Sequence, residues 1–228
     1  MKTSKSAFAS EINGSIGGAV FSHNKQGSYI RIRSRPTNPQ TLDKQRQHIY
    51  LTRVARAWKT LTQTQRNTWA LWAQNHPIRD RIGDLRIMTG QQAYCQINAR
   101  VYRMNLSTLS DPPTADPPDP IYSLALSFNS ADPFNASFTF AAAPLGAQER
   151  FWMFGCSPRH PGLKDNSRIT RFIGLGPLAA VSPYKYGGYF VGKFGTVQTG
   201  QVVSVTVHVI NGFYGLLSPP LTAECVAT

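Results

Sequence analysis

The period of the hydrophobic pattern changes twice along the chain. From Gly14 to Arg35 it is close to two: Ala19–Val20–Phe21 reads as a strand, His23–Gly27 carries turn residues, and Tyr29–Arg35 reads as the return strand of a hairpin. Ile30 and Ile32 point to one side of that strand, and Tyr29, Arg31, Arg33 and Arg35 to the other. From Leu42 the period lengthens to that of a helix. Leu42, Leu51, Val54, Ala55, Trp58 and Leu61 fall on one stripe, with Lys44, Arg46, Arg53, Arg56 and Lys59 largely off it. Asn38 is expected as the N-cap, with Pro39 in the first turn. Thr62 and Gln65 have capping-box spacing and predict a second helix, with Trp69, Leu71 and Trp72 on its apolar side and a stop at Asn75–His76–Pro77. After a loop around Gly83, Thr89 and Gln92 repeat that spacing and predict a third helix, faced by Ala93, Tyr94, Ile97, Val101 and Met104.

Beyond Asp111–Pro120 (DPPTADPPDP), a proline-rich acidic stretch with the composition of a semi-rigid linker, the pattern returns to alternation. Strands are expected at Tyr122–Phe128, Ala136–Ala142, Arg150–Cys156, Arg168–Leu175, Gly188–Phe194, Val202–Ile210 and Leu221–Val226, separated by Gly, Pro, Asn and Asp turns. The fold class expected is therefore α+β in two domains. A flexible arm (1–13) precedes a basic β-hairpin with about three α-helices (14–108), a linker (109–120) and an all-β, immunoglobulin-like sandwich of about seven strands (121–228).

Charge sharpens this division. Residues 1–103 carry seventeen Lys and Arg against four Asp and Glu, whereas residues 104–228 carry seven of each, so the whole net charge of +13 belongs to the first half. A one-sided basic region fits an acidic partner: nucleic acid, an acidic protein surface or an anionic membrane. The arginine row on Tyr29–Arg35 has two readings, a solvated face that guards an edge strand or a cationic ribbon laid on phosphates or carboxylates. Trp58, Trp69 and Trp72 are read either as core at helical spacing or as an aromatic patch at a subunit interface, where Trp and Arg are favoured.

Chemistry-bearing constellations are sparse. Cys95, Cys156 and Cys225 are odd in number and far apart, which fits reduced thiols better than a disulfide framework or a zinc site. GSIGG lacks the ending of a phosphate loop, and His160, Asp165, His208 and Glu224 are scattered. No enzyme, metal or cofactor is expected. The N-terminal MKTSKSAFASEING lacks the apolar stretch of a secretory signal, and no run is long enough for a membrane helix, so a soluble protein made in a cytoplasm is expected, with no membrane partner. Tyr184, Lys185, Tyr186 and Tyr189 form an aromatic loop, read either as a ligand contact or as a turn covering a core edge.

Two resemblances add to this. Trp152 in the third strand, the alternation of Val203, Val205, Val207 and Val209, and the segment Asn211–Ala223 (NGFYGLLSPPLTA) resemble a fibronectin type III domain, although the usual tyrosine of its penultimate strand is missing. The run GSIGGAVFSHNKQGSYIRIR, then NPQTLDKQR and AWKTLTQTQRNTWALWA, is similar to a family of uncharacterised tailed-phage and prophage proteins. The matching positions are Gly14, Gly17, Gly18, Phe21, Gly27, Tyr29, Arg31, Asn38, Pro39, Thr41, Gln45, Arg46, Trp58, Leu61, Thr62, Gln65, Arg66 and Trp69. The resemblance implies a non-enzymatic virion structural protein, a capsid decoration or minor head component. Its partners would be other virion proteins and copies of itself, docked through Tyr29, Arg31, Arg33, Arg35, Arg46, Arg53, Arg56, Trp58, Trp69 and Trp72. The alternatives are a nucleic-acid-binding protein that uses the same basic half, or a tail or adaptor component.

Overall fold

The computed structural model describes residues 13–24, 27–34, 41–79, 84–141, 145–163 and 170–228. The expected arm, Arg35, the Asn38–Pro39 cap, Gly83 and Asp165 lie outside them. The chain divides into two compact units, Met1–Arg46 and Gln47–Thr228.

The first unit is a three-stranded antiparallel meander, β1 (Gly14–Ile16), β2 (Ala19–Asn24) and β3 (Gly27–Ile32), one strand more than the expected hairpin. The additional strand comes from Gly17, which takes φ +56° and lets β1 reverse into β2 with Ser15 opposite Val20. Phe21 pairs with Ile30 and Val20 with Arg31, and the pairing continues past the end of β3 through Arg33 N donating to Gly18 O (2.8 Å).

The second unit carries most of helix α1 (Leu42–Thr60), followed by α2 (Gln63–Asn75), a short ladder of β4 (Ile78–Arg79) and β5 (Leu85–Arg86), and α3 (Gly90–Arg103). Both expected capping boxes form. Gln65 N donates to Thr62 Oγ1 (3.3 Å) while Thr62 N donates to Gln65 Oε1 (3.1 Å), and Thr89 with Gln92 repeats the exchange at 3.2 and 3.0 Å. Val54 and Leu61 are buried as the stripe predicts. Leu42 and Leu51, also placed on the stripe, are exposed because the buried arc of α1 is narrow and centres on Val54 and the flanking Tyr50, Ala57 and Trp58; Leu71, placed on the apolar side of α2, is exposed as well.

Strands β6 (Ser123–Ser127), β7 (Ser137–Ala141), β8 (Glu149–Gly155), β9 (Arg171–Leu178), β10 (Tyr184–Lys185), β11 (Val202–Asn211) and β12 (Leu221–Val226) make two facing antiparallel sheets, ordered β10-β7-β6 and β12-β11-β8-β9. One expectation fails. Gly188–Phe194 is not a strand but part of helix α4 (Gly187–Phe194). Its residues favour strands by type, yet Tyr186, Phe190 and Phe194 are spaced by four. That spacing lays them on one helical face, with Phe190 against Phe128 (5.8 Å between centroids) and Phe194 (4.8 Å). The small strand β10 takes the vacated place beside β7.

The four-stranded sheet is apolar on one face and over the part of the other that the helices cover. Phe151 and Met153 of β8 and Val203, Val205, Val207 and Val209 of β11 point into the sandwich core with Phe138, Tyr186 and Phe190. Trp152 and Ile210, one residue out of phase, point the other way and join Trp69, Tyr94, Ile97, Val101 and Met104 in a core shared with the helices. Arg103 of α3 lies over the Phe172 ring of β9 at 3.7 Å and over Trp152 at 5.6 Å. The turn after β11 presses on α3 at Gly215 (φ +65°), where a Cβ would stand 3.0 Å from Val101 Cγ2 and 3.1 Å from Ile97 O.

The division of the packing therefore does not fall at the expected linker. Residues 104–120 are strapped to the helices. The buried Asn98 side chain donates to Leu109 O (3.3 Å) and accepts from Leu109 N (2.6 Å), and Trp69 Nε1 donates to Ser110 O (2.8 Å). Pro113 and Pro118 are buried, and Ile121 enters the sandwich core.

Two glycines test this packing in opposite directions. A Cβ at Gly90 would meet Ala70 N at 2.8 Å, so Gly90→Ala is expected to force α2 from α3 and cost about 1–3 kcal/mol in urea unfolding. A Cβ at Gly192 of α4 would meet nothing within 4 Å, and Gly192→Ala is expected to stabilise by roughly 0.5–1 kcal/mol in the same assay.

Candidate docking surface

In the first unit none of the described residues is buried. Arg31 and Arg33 are exposed and Tyr29 is half-buried, on a sheet that also exposes Ile16 (73%) and Ile32 (87%). Ile16 and Ile32 both align with Ala19 and so share one face of this sheet, whereas Arg31 aligns with Val20 and lies with Arg33 on the other. Arg46 is exposed as well.

In the second unit Arg53 and Arg56 lie on the solvent side of α1. Arg53 packs its guanidinium over the Tyr102 ring (5.4 Å), which in turn meets Tyr50 edge-on (5.1 Å). His48, Ile49, Thr52, Arg53 and Arg56 line a shallow groove of about 280 Å³ on this face. Ile49, His48 and Thr52 were not singled out from the sequence, although their spacing of three and four beside Arg56 is the readable signal of a second helix face.

The tryptophans divide. Trp69 is fully buried, with its ring edge-on to Tyr94 (5.2 Å) and Trp72 (6.0 Å), so it is core and not a docking residue. Trp58 is half-buried between Tyr94 (5.2 Å) and the Arg66 guanidinium (5.9 Å). Trp72 is half-buried and stacked on the His76 imidazole at 4.1 Å. Each keeps one side open to solvent while the other is packed.

The aromatic loop divides in the same way. Tyr186 is fully buried beside Cys225, and burial raises its pKa. Tyr184 is half-buried against Phe138 and Phe151 (5.4 Å to each), and burial raises its pKa as well, with a hydrogen bond to Tyr189 adding to the shift. Only Lys185, whose Nζ donates to Asn135 Oδ1 (2.7 Å), and Tyr189 face solvent. The loop mainly covers a core edge. A second groove, of about 340 Å³, lies between Leu106, Ser107 and Leu109 and the turn residues Phe213 and Tyr214, with Gln148 at its margin.

The scattered titratable groups stay apart from these surfaces. Glu224 forms a bidentate ion pair with Arg159 (2.8 and 2.9 Å). His208 lies on the helix-facing side of β11, where its Nδ1 donates to Ser218 O (2.9 Å) and Arg100 of α3 is close by. Arg100 Nη1 donates to Gly215 O (3.3 Å), and burial lowers its pKa to about 10. Burial, reinforced by Arg100, holds the His208 pKa below its ordinary value, and the Ser218 bond opposes this in part. Among the described residues no group of three His, Cys, Asp or Glu side chains could hold a metal ion, and no helix is long and apolar enough to cross a membrane. Comparison with protein-family models and with curated proteins finds no match to the chain.

The His208 arrangement has a definite pH consequence. The unfolded imidazole binds its proton near the ordinary 6.5 and the folded one at lower pH, so the unfolded chain holds more protons in the interval between. This contribution to stability is intact above that interval and is lost as pH falls through it. Urea midpoints at about pH 7.5 and about pH 5 are expected to differ less for His208→Gln than for the unaltered chain.

Proposed function

We propose that the chain is a non-enzymatic structural protein of a bacteriophage virion, a capsid decoration or minor head component that docks through its basic N-terminal unit. In this reading the body formed by residues 47–228, a fibronectin type III-like sandwich with helices packed on its outer sheet, is displayed outward. The observation that carries the reading is the first unit itself. It is a small sheet with no buried residue among those described, with isoleucines exposed on one face and cations on the other. Such a sheet gains almost nothing from its own burial, and three strands need a covered apolar face to be stable. A partner that covers the face of Ile16 and Ile32 supplies that need, and acidic groups reaching the opposite face would meet Arg31 and Arg33. The virion assignment is supported by the phage-like run over residues 12–75, and the strand order β10-β7-β6 against β12-β11-β8-β9 supports the fibronectin type III-like reading. A tail or adaptor position is the alternative within this reading, and a nucleic-acid-binding protein is the alternative to it.

Mass spectrometry of particles purified from producing cells is expected to find the chain at structural copy number. Replacing Ile16 and Ile32 together by Ser is expected to leave the melting temperature within a degree or so, since both are already exposed, and to deplete the chain from particles several-fold. Absence of the unaltered chain from particles, together with tight duplex DNA binding that weakens steeply with salt, would instead establish the nucleic-acid reading.

A further inference from the structure

Helix α1 has an outer face that no described residue of the second unit covers. On the side away from Val54 it presents His48, Ile49, Thr52, Arg56 and Lys59, with Arg53 at the margin over Tyr102. Between Lys44 and Arg79 the sequence holds seven Lys and Arg and no Asp or Glu, so nothing on α1 beyond its first turn or on α2 neutralises this face. Among the described residues no hydrogen bond, ion pair or ring engages the Arg56 or Lys59 side chain.

The opposite charge is concentrated elsewhere in the same unit. From Met104 to Glu149 the chain carries Asp111, Asp116, Asp119, Asp132 and Glu149, with no Lys, Arg or His. The strap is fixed by Asn98 and Trp69 at Leu109 and Ser110 and by the burial of Pro113, Pro118 and Ile121. Asp111, Asp116 and Asp119 are exposed, and among the described residues no hydrogen bond or ion pair engages their carboxylates. The prolines thus hold an acidic edge toward solvent at little further entropic cost of ordering.

We propose that the outer face of α1 binds the acidic edge Asp111–Asp119 of a second copy of this chain. The proposal rests on the assembly reading above and names one partner within it. The contact joins unlike surfaces. One of α1 on α1 would oppose cations, and one of strap on strap would oppose carboxylates, each at an electrostatic cost. A contact of α1 on strap pairs them, twice in a reciprocal two-fold dimer or once per copy along a ring or filament. Ile49 and the groove beside it give the contact an apolar centre within its ring of charge.

The test uses the full chain in sedimentation velocity. One variant reverses the helix face (Arg56→Glu with Lys59→Glu), and another reverses the strap (Asp116→Lys with Asp119→Lys). All four positions are exposed and without partners among the described residues, and matching urea midpoints check that both variants fold. The unaltered chain is expected to self-associate with concentration, and each variant alone to do so about tenfold more weakly. An equimolar mixture of the two variants is expected to recover association, because the reversed helix face meets the reversed strap. A monomeric unaltered chain, variants that associate as well as it does, or a mixture that fails to recover would overturn the proposal. So would loss of duplex DNA binding in the helix variant while the strap variant still self-associates, which would make DNA the occupant. A chain that enters particles at full copy number yet stays monomeric in solution overturns this proposal alone and leaves the assembly reading standing.

Discussion

Trp152 and Ile210 occupy one face of the sheet β12-β11-β8-β9, while Phe151, Met153 and four valines of β11 occupy the other, so a single sheet has to be covered twice. Pleating allows this because neighbouring residues of a strand point to opposite faces; the end of the helix-side face at Thr206, Thr222 and Glu224 stays polar, with Thr222 and Glu224 exposed. The smaller sheet and α4 cover one side, and α3 with the turn around Gly215 covers the other. The strap 104–120 then has little freedom. Asn98 and Trp69 bind its backbone, and its buried prolines carry the chain from the helical core into the sandwich core. The proline-rich composition that reads as a spacer serves here as a fixed edge.

The same constraint decides what is left for function. Trp69 and Tyr186 are committed to the cores, and the half-buried Trp58, Trp72 and Tyr184 each give one side to packing. The side chains free of such duties are mainly charged ones, basic on the outside of α1 and acidic on the strap. With Ile16 and Ile32 exposed on a sheet that buries nothing, the molecule has the surfaces of a component that acts by being held in place.

Much of this was legible in the residues, and the misses have identifiable causes. Thr62–Gln65 and Thr89–Gln92 located two helix starts because a capping box is a local device whose partners lie three residues apart. The valine alternation of β11 located its strand, since half-buried strands repeat every two residues. Gly187–Phe194 misled because residue type favours strand while the spacing of Tyr186, Phe190 and Phe194 favours helix, and packing on Phe128 decides for the spacing. The second face of the four-stranded sheet was written in the chain too, in Trp152, Phe154 and Ile210, but those positions fall in the phase that a free-standing sandwich assigns to solvent. Nothing local shows that a helix from another part of the chain covers them. The arginine row was legible as exposed charge, whereas the exposure of Ile32 was not, since alternation alone does not show whether an apolar face is covered, and no described residue of the first unit covers this one.

The central claim is that the helices and the sandwich of residues 47–228 are one cooperative body joined across the shared sheet. Equilibrium urea unfolding of the full chain tests it most directly when followed by two probes at once. Fluorescence of Trp58, Trp69, Trp72 and Trp152 reports the helix–sheet core, in which all four tryptophans lie. Backbone amide exchange in β7 and β11 reports the sandwich. The account predicts one transition with coincident midpoints for both probes. Loss of the tryptophan signal at lower urea, with β7 and β11 still protected, would show that the sandwich stands without the helices and would contradict it.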